Sequence, residues 1–169
     1  MDAYNTMLAR RSIRKFQDKP VCTEDIDKML RGAMSAPSAC NKQPWEFYVV
    51  TNADLLGKLQ TSSLFSRYKS PCIIVVAGNK KHCITQKEND FFYQDCSAAV
   101  ENLLLVATQL GLGTCWCGLS PMKAPADKVS QILGLEKHIV PVALVHVGHP
   151  AESKEPRTQY NEKKVHFFN

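Results

Sequence analysis

The chain has 169 residues, 44% hydrophobic and 22% charged, with 8 Gly and 9 Pro. That balance builds a buried core and excludes a disordered or collagen-like chain, and the length suits one domain over 1–169. Twenty-one Lys and Arg against 16 Asp and Glu leave a formal charge of +5, which suits an anionic ligand and is modest for a nucleic-acid binder.

The first expected helix covers about 3–9, closed by Arg10 and Arg11, with Ser12, Ile13 and Arg14 extended or irregular after it. Thr23 reads as an N-cap, and Glu24, Asp25 and Asp27 favour the positive end of the helix that follows. Ile26, Met29, Leu30 and Ala33 give that helix one apolar face, and it stops near Ser35 because Pro37 disfavours helix before it. Residues 36–44 form a loop. A strand over 45–51 follows, then a short polar helix over 53–60 and a polar stretch with Phe65 and Tyr68. The continuous apolar run 72–77 predicts a strand covered on both faces.

The polar stretch 79–94 reads as a lid or a connection with a short helix. Asp95 or Ser97 is the expected cap of a helix over 98–110 that is apolar on nearly all sides, so something must cover most of its faces; a second subunit would do so. Gly111 or Gly113 ends it, and 114–117 is a short strand or extended loop. Pro125 opens a helix over about 125–133 that Gly134 stops, and 140–147 is a strong strand tolerating Pro141 at its first position. His146 in that strand reads as a packed or hydrogen-bonded structural residue. The tail is polar and basic until Val165, His166, Phe167 and Phe168, which suggest an extra strand or an arm on a surface. The coarse class is α+β or α/β, with a helix-covered mixed sheet.

Seven Cys cannot all pair within one chain, and several lie in apolar runs, as Cys72, Cys115 and Cys117 do. Reduced thiols in a cytoplasmic protein follow, with an N-terminus that lacks a secretory pattern. No run of 18 apolar residues supports a membrane span. Cys115 and Cys117 are too close for a zinc half-site and the five His show no metal spacing, so no metal is expected.

Three places could carry chemistry. Arg10, Arg11, Arg14 and Lys15, with Ser12 among them, are the densest positive cluster. In an extended chain Arg10, Ser12 and Arg14 share one face and could meet a phosphate; the alternative is a solvated basic helix end. Pro37, Ser38, Asn41 and Gln43 lie in a proline-stiffened loop able to bond a heterocycle's edge, or in an ordinary turn before a strand. Gly111 through Gly118 lacks both the dinucleotide fingerprint and the triphosphate-binding loop; its glycines could admit a flat ligand, or simply stop a helix before a buried strand. In the tail, Lys154, Arg157, Lys163 and Lys164 add cations.

Taken together these segments resemble the FMN-dependent nitroreductase family, in its short, compact form. Arg10-Arg11-Ser12-Ile13-Arg14-Lys15-Phe16 is similar to its opening motif and Ala36-Pro37-Ser38-Ala39-Cys40-Asn41-Lys42-Gln43-Pro44-Trp45 to its second. Asp95 through Asn102 and Leu104 to Trp116 resembles its central helix and flavin loop, and Val145-His146-Val147-Gly148-His149-Pro150 with Arg157 its closing segment. The resemblance implies an α+β fold and a homodimer with an intertwined interface holding two FMN. Arg10, Arg11, Ser12, Arg14 and Arg157 would hold the phosphate and ribityl end. Pro37, Ser38, Asn41 and Gln43 would come from the other subunit, and backbone at Trp116, Cys117 and Gly118 would lie near the reactive side of the ring. It further implies a ping-pong cycle in which NADH or NADPH passes a hydride through FMN to a small planar acceptor (a nitroaromatic, quinone or unsaturated carbonyl), with no side-chain nucleophile or catalytic acid.

The chain departs from the family in the tail, where Thr158-Gln159 follow Arg157 and one positive contact is missing. It departs also at Ala39-Cys40 and at Cys117, whose thiol is expected to be inert packing. Two other readings are a flavin-binding or storage module with little turnover, and a basic non-flavin protein that binds nucleic acid.

Overall fold

The computed structural model describes residues 1–84, 91–156 and 158–168. Asp2 caps α1 (Ala3–Ala9) by accepting the Asn5 N–H at 2.8 Å. Helix α2 (Thr23–Met34) starts one residue earlier than expected: Cys22 is its N-cap, makes no side-chain capping bond, and Thr23 is already helical with Glu24 and Asp25 in the first turn. Strand β1 (Trp45–Val50) and helix α3 (Ala53–Gln60) follow, the latter capped by Asn52, which accepts from Asp54 and Leu55 N–H. Strand β2 (Cys72–Asn79) is buried at every position, as its unbroken apolar run requires. Residues 85–90, within the stretch expected to be a lid or connection, lie outside the described residues.

Helix α4 (Phe92–Gln109) starts before the expected cap. Asp95 and Ser97 lie inside it: Ser97 Oγ donates to Tyr93 O at 2.7 Å, and Asp95 bonds a distant loop instead. A left-handed Gly111 (φ 72°) ends the helix, with Gly111 N–H donating to Thr108 O (3.1 Å) and Leu112 N–H to Ala107 O (2.8 Å). That pair closes two of the last free carbonyls, and a Cβ at this φ would be strained. Strand β3 (Gly113–Gly118) leads to α5 (Lys123–Leu133), which begins two residues before Pro125. The proline sits in the first turn, where its missing N–H has no partner to lose. Strand β4 (Ile139–Gly148) completes the sheet.

The strand order is β1-β2-β4-β3, and all three ladders are antiparallel. A parallel bridge from Ser12 to Thr114 on the outer side of β3 makes the sheet mixed. Pro141 is the third residue of β4, not its first, and β4 is an inner strand; the register shifts opposite it, between Val76 and Ala77, so its missing N–H falls at an irregularity.

Alternation along β2 sends Ile74 and Val76 to one core and Ile73 and Val75 to the other. The first core holds Phe92, Val100, Leu103 and Leu104 of α4 with Met29 and Ala33 of α2. Each such side chain, fully buried, contributes about 1.5–3 kcal/mol. Much of the cover for α4 therefore comes from this chain's own α2 and sheet, while Ser97, Glu101, Leu105 and Thr108 form a half-buried stripe at helical spacing. The tail forms no strand among the described residues, and Phe167 and Phe168 are 83% and 97% exposed. None of the seven cysteines is paired, and no described helix is long and apolar enough to cross a membrane.

Candidate active site

The opening motif builds one cleft. Ser12 is held extended by its bridge to Thr114, with Ile13 N–H donating to Thr114 O at 2.8 Å. Alternation then buries Ile13 (8% exposed) against Gly113 and leaves Ser12 and Arg14 on the outer side. Arg10, Arg11, Ser12 and Arg14 all line a cleft of ≈ 490 Å³, as the expected shared face requires.

Each cation is positioned by a different neighbour. Arg10 Nε is buried 3.2 Å from Glu101 Oε1 but lacks the N–H geometry of a hydrogen bond. Arg11 donates to the Glu155 carbonyl. Arg14 donates from Nε to Tyr68 OH at 3.2 Å and lies 5.7 Å from that ring's centre; this hydrogen bond, then the nearby Cys115, raises its pKa. Lys154 enters the same cleft, its Nζ 2.6 Å from Ser12 O and 3.3 Å from Glu152 Oε1. Glu152 accepts the Arg14 N–H at 2.6 Å, and that bond, with Lys154, holds its carboxyl below the ordinary range. Lys154 thus brings a cation to the cleft of a chain whose tail has a missing one. Only its place near Arg157 hinted at this in the sequence. Arg157 itself lies outside the described residues.

Four cations, a hydroxyl and a buried Arg10 N–H without a hydrogen bond form a donor set that fits a phosphate.

The second motif forms a strained loop. Cys40, Asn41 and Gln43 all have positive φ (50°, 52° and 49°), a conformation that costs a non-glycine residue about 1–3 kcal/mol. The loop is wired to itself: Gln43 N–H donates to Ser38 Oγ (2.9 Å) and Gln43 Nε2 to Asn41 Oδ1 (3.0 Å). It is tied to α4 by Ala39 N–H donating to Asp95 Oδ1 at 2.9 Å, and Asp95 is only 6% exposed. Asn41 Nδ2, Gln43 Oε1 and the Ser38 hydroxyl proton are left toward solvent, with Pro37 also exposed. Asp95 is the residue that sequence reasoning misassigned: it caps the loop's backbone, not its own helix. None of the loop residues lines the arginine cleft of the same chain.

The third motif is the free edge of the sheet. Thr114 O points outward to Ile13, so by the two-residue repeat of an antiparallel strand the N–H and C=O groups of Trp116 and Gly118 also point outward. They continue the line on which Ser12 is docked. Side chains alternate too: Trp116 packs on the α4 side, whereas Cys115 and Cys117 (2% and 4% exposed) enter the other core. The Cys117 thiol is 3.0 Å from Phe65 O; its contact with Cys115, then burial, pushes its pKa up. Cys115 is drawn below the ordinary thiol range, first by Cys117 and then, against burial, by Arg14 and Lys154. Cys117 turns its own N–H and C=O toward β4 and its side chain is packed, so the edge beside it is offered by the backbone of Trp116 and Gly118.

Across the chain, residues 7–66 and 64–149 match the nitroreductase family. This chain belongs to the nitroreductase family. It is an oxidoreductase of that family. A provisionally named NADH dehydrogenase/NAD(P)H nitroreductase of Methanothermobacter thermautotrophicus is 34% identical over 169 residues, covering 99% of this chain and 87% of the relative. A solved structure with a similar provisional name from Parabacteroides distasonis superposes with a TM-score of 0.92 at 35% identity, over 99% and 98% of the two chains. An FMN-dependent nitroreductase from Clostridium difficile R20291 gives a TM-score of 0.88 at 29% identity, over 98% and 99%. The α+β fold with a mixed sheet and flanking helices is the family's fold.

Proposed function

We propose that this nitroreductase-family chain works as a one-domain protomer of an FMN-dependent homodimer, in a reducing compartment such as the cytoplasm. The observation that carries the reading is the four-cation cleft, whose Ser12 is docked on the edge of β3 by its bridge to Thr114. Arg10, Arg11, Arg14 and Lys154 would grip the phosphate, Ser12 would add its hydroxyl, and Arg157 would join them. The outward backbone of Trp116 and Gly118, with that of Cys117 between them, would border the ring. Bound there, FMN supplies hydride transfer from NADH or NADPH to a small planar acceptor by a ping-pong cycle.

The protein's part is electrostatic and positional. An outward backbone N–H at the β3 edge stabilises negative charge developing on a bound ring without reorganising. The Asp95-anchored loop holds Pro37, Ser38, Asn41 and Gln43 rigid and outward, a geometry suited to completing a partner's site. A second copy supplying that loop explains why the arginine cleft and the loop are both preformed yet separate in one chain. No side chain needs to act as nucleophile.

The test is the purified protein itself. It should be yellow or take up added FMN, elute as a dimer, and lose its flavin colour under anaerobic NADH or NADPH. Colourless protein that fails to bind FMN refutes the reading; bound flavin that no nicotinamide reduces leaves a binding or storage module.

A further inference from the structure

Past β4 the chain returns along the opening motif as a strap. Gln17 N–H donates to His149 O and Ala151 N–H to Lys15 O, both at 2.9 Å, and Phe16 bridges Pro150 antiparallel. The motif is thus held from two sides. Ile13 N–H bonds Thr114 O on β3, and the next N–H, that of Arg14, bonds Glu152 on the strap.

One oxygen of Glu152 serves three donors. Oε1 accepts the Arg14 N–H at 2.6 Å and the Lys15 N–H at 3.3 Å, and lies 3.3 Å from Lys154 Nζ. Lys154 also donates from Nζ to Ser12 O at 2.6 Å, so its ammonium is fixed before any anion arrives. Among the described residues, Arg14 and Lys154 line the arginine cleft and Glu152 does not; the carboxylate stands behind the cations. Cations gathered in one cleft repel each other, and a free lysine stem loses its rotamer freedom when it meets an anion. A carboxylate behind them lowers both costs, by offsetting like charge and by ordering Lys154 in advance. We propose that Glu152 is a positioning residue of this cleft: its charge holds Lys154 in place for a phosphate, and its oxygen fixes the Arg14 backbone. The inference rests on the flavin reading in that FMN is the expected owner of that phosphate. A carboxylate acting only by its proximity would repel the phosphate and weaken binding, so the sign of its effect is decisive.

Glu152→Gln separates the two parts, since the amide keeps an oxygen for the Arg14 N–H and loses the charge that holds Lys154. In fluorescence titration of the purified full-length protein at low salt, Glu152→Gln should weaken FMN binding about threefold, the range of an exposed ion pair. Glu152→Ala, which also takes the acceptor from the Arg14 N–H, should weaken it about tenfold. In a Lys154→Met background the Gln substitution should no longer weaken binding, because the cation through which the charge acts is gone. The same cycle, run by calorimetry with inorganic phosphate on the flavin-free protein, gives a readout that needs no flavin. Tighter or unchanged binding in Glu152→Gln overturns the proposal, and so does equal weakening with and without Lys154, the mark of a merely structural loss. A protein that takes up no FMN yet shows the coupled cycle with phosphate upholds this inference and refutes the flavin reading. One that binds FMN with an additive or flat cycle does the reverse, and one that binds neither probe refutes both.

Discussion

His146 gives the protein a stability that depends on a single proton. It is fully buried in β4 between the rings of Phe16 and Tyr68, at 6.4 and 5.5 Å. Ser70 Oγ lies 2.8 Å from Nδ1 and donates its own proton to Cys72 O at 3.0 Å. Nε2 is buried with no hydrogen-bond partner. A second ring proton would place a charge in the core. Burial, partly offset by the Ser66 backbone, lowers the pKa from 6.5 to about 4. Between those values the unfolded chain binds a proton that the folded chain refuses, so stability is complete above pH 6.5 and falls as the pH drops toward 4. At ~1.36 kcal/mol for each tenfold change in proton affinity, the loss is about 3 kcal/mol. Urea unfolding of the parent and of His146→Asn at pH 7 and pH 4 measures it, since ordinary carboxylate titration is common to both. The parent should lose about 3 kcal/mol more than the variant over that interval, whatever the variant loses in absolute packing. Parallel losses would show that His146 accepts its second proton as readily folded as unfolded, and the burial argument would fail.

Arg14→Ala removes a charged donor from an exposed site, so FMN affinity should drop about tenfold and the drop should shrink with salt; fluorescence titration giving unchanged affinity removes Arg14 from the phosphate set. Asp95→Ala leaves the Ala39 N–H without its partner and releases the loop strain, at about 1–3 kcal/mol in urea unfolding and with faster amide exchange across 38–43. Unaltered exchange there would mean that the loop holds its left-handed residues unaided. In Gly78→Ala the new methyl would lie 2.1 Å from a carbon of the fully buried Phe92 ring. Overpacking of this kind costs about 1–3 kcal/mol, a fall of several degrees in melting temperature, and an unshifted transition would mean that the ring has room to move.

Most helices and strands were legible because their signals are local. The run from Cys72 shows in its composition that both faces of β2 are covered, and the stop at Gly111 needs only a residue that accepts positive φ. The three site segments could be read as well, since Arg10, Ser12 and Arg14 alternate whether or not anything else is folded. The errors share a different origin. Asp95 has the chemistry of a cap, but its partner is Ala39, 56 residues away, and no periodicity reports that bond. Lys154 joins the arginines only because β4 returns the chain beside Ser12. The Cys117 thiol is packed as expected, but which core receives it depends on its parity with Cys115 on β3. Composition and spacing thus narrowed the class to α+β or α/β and picked out the core-forming runs and the cluster of Arg10, Arg11 and Arg14 around Ser12; the family resemblance chose α+β. Tertiary structure decided that Ser12 docks on the β3 edge, which cations converge beside it, and which carboxylate holds the strained loop, because those depend on contacts between segments far apart in the chain.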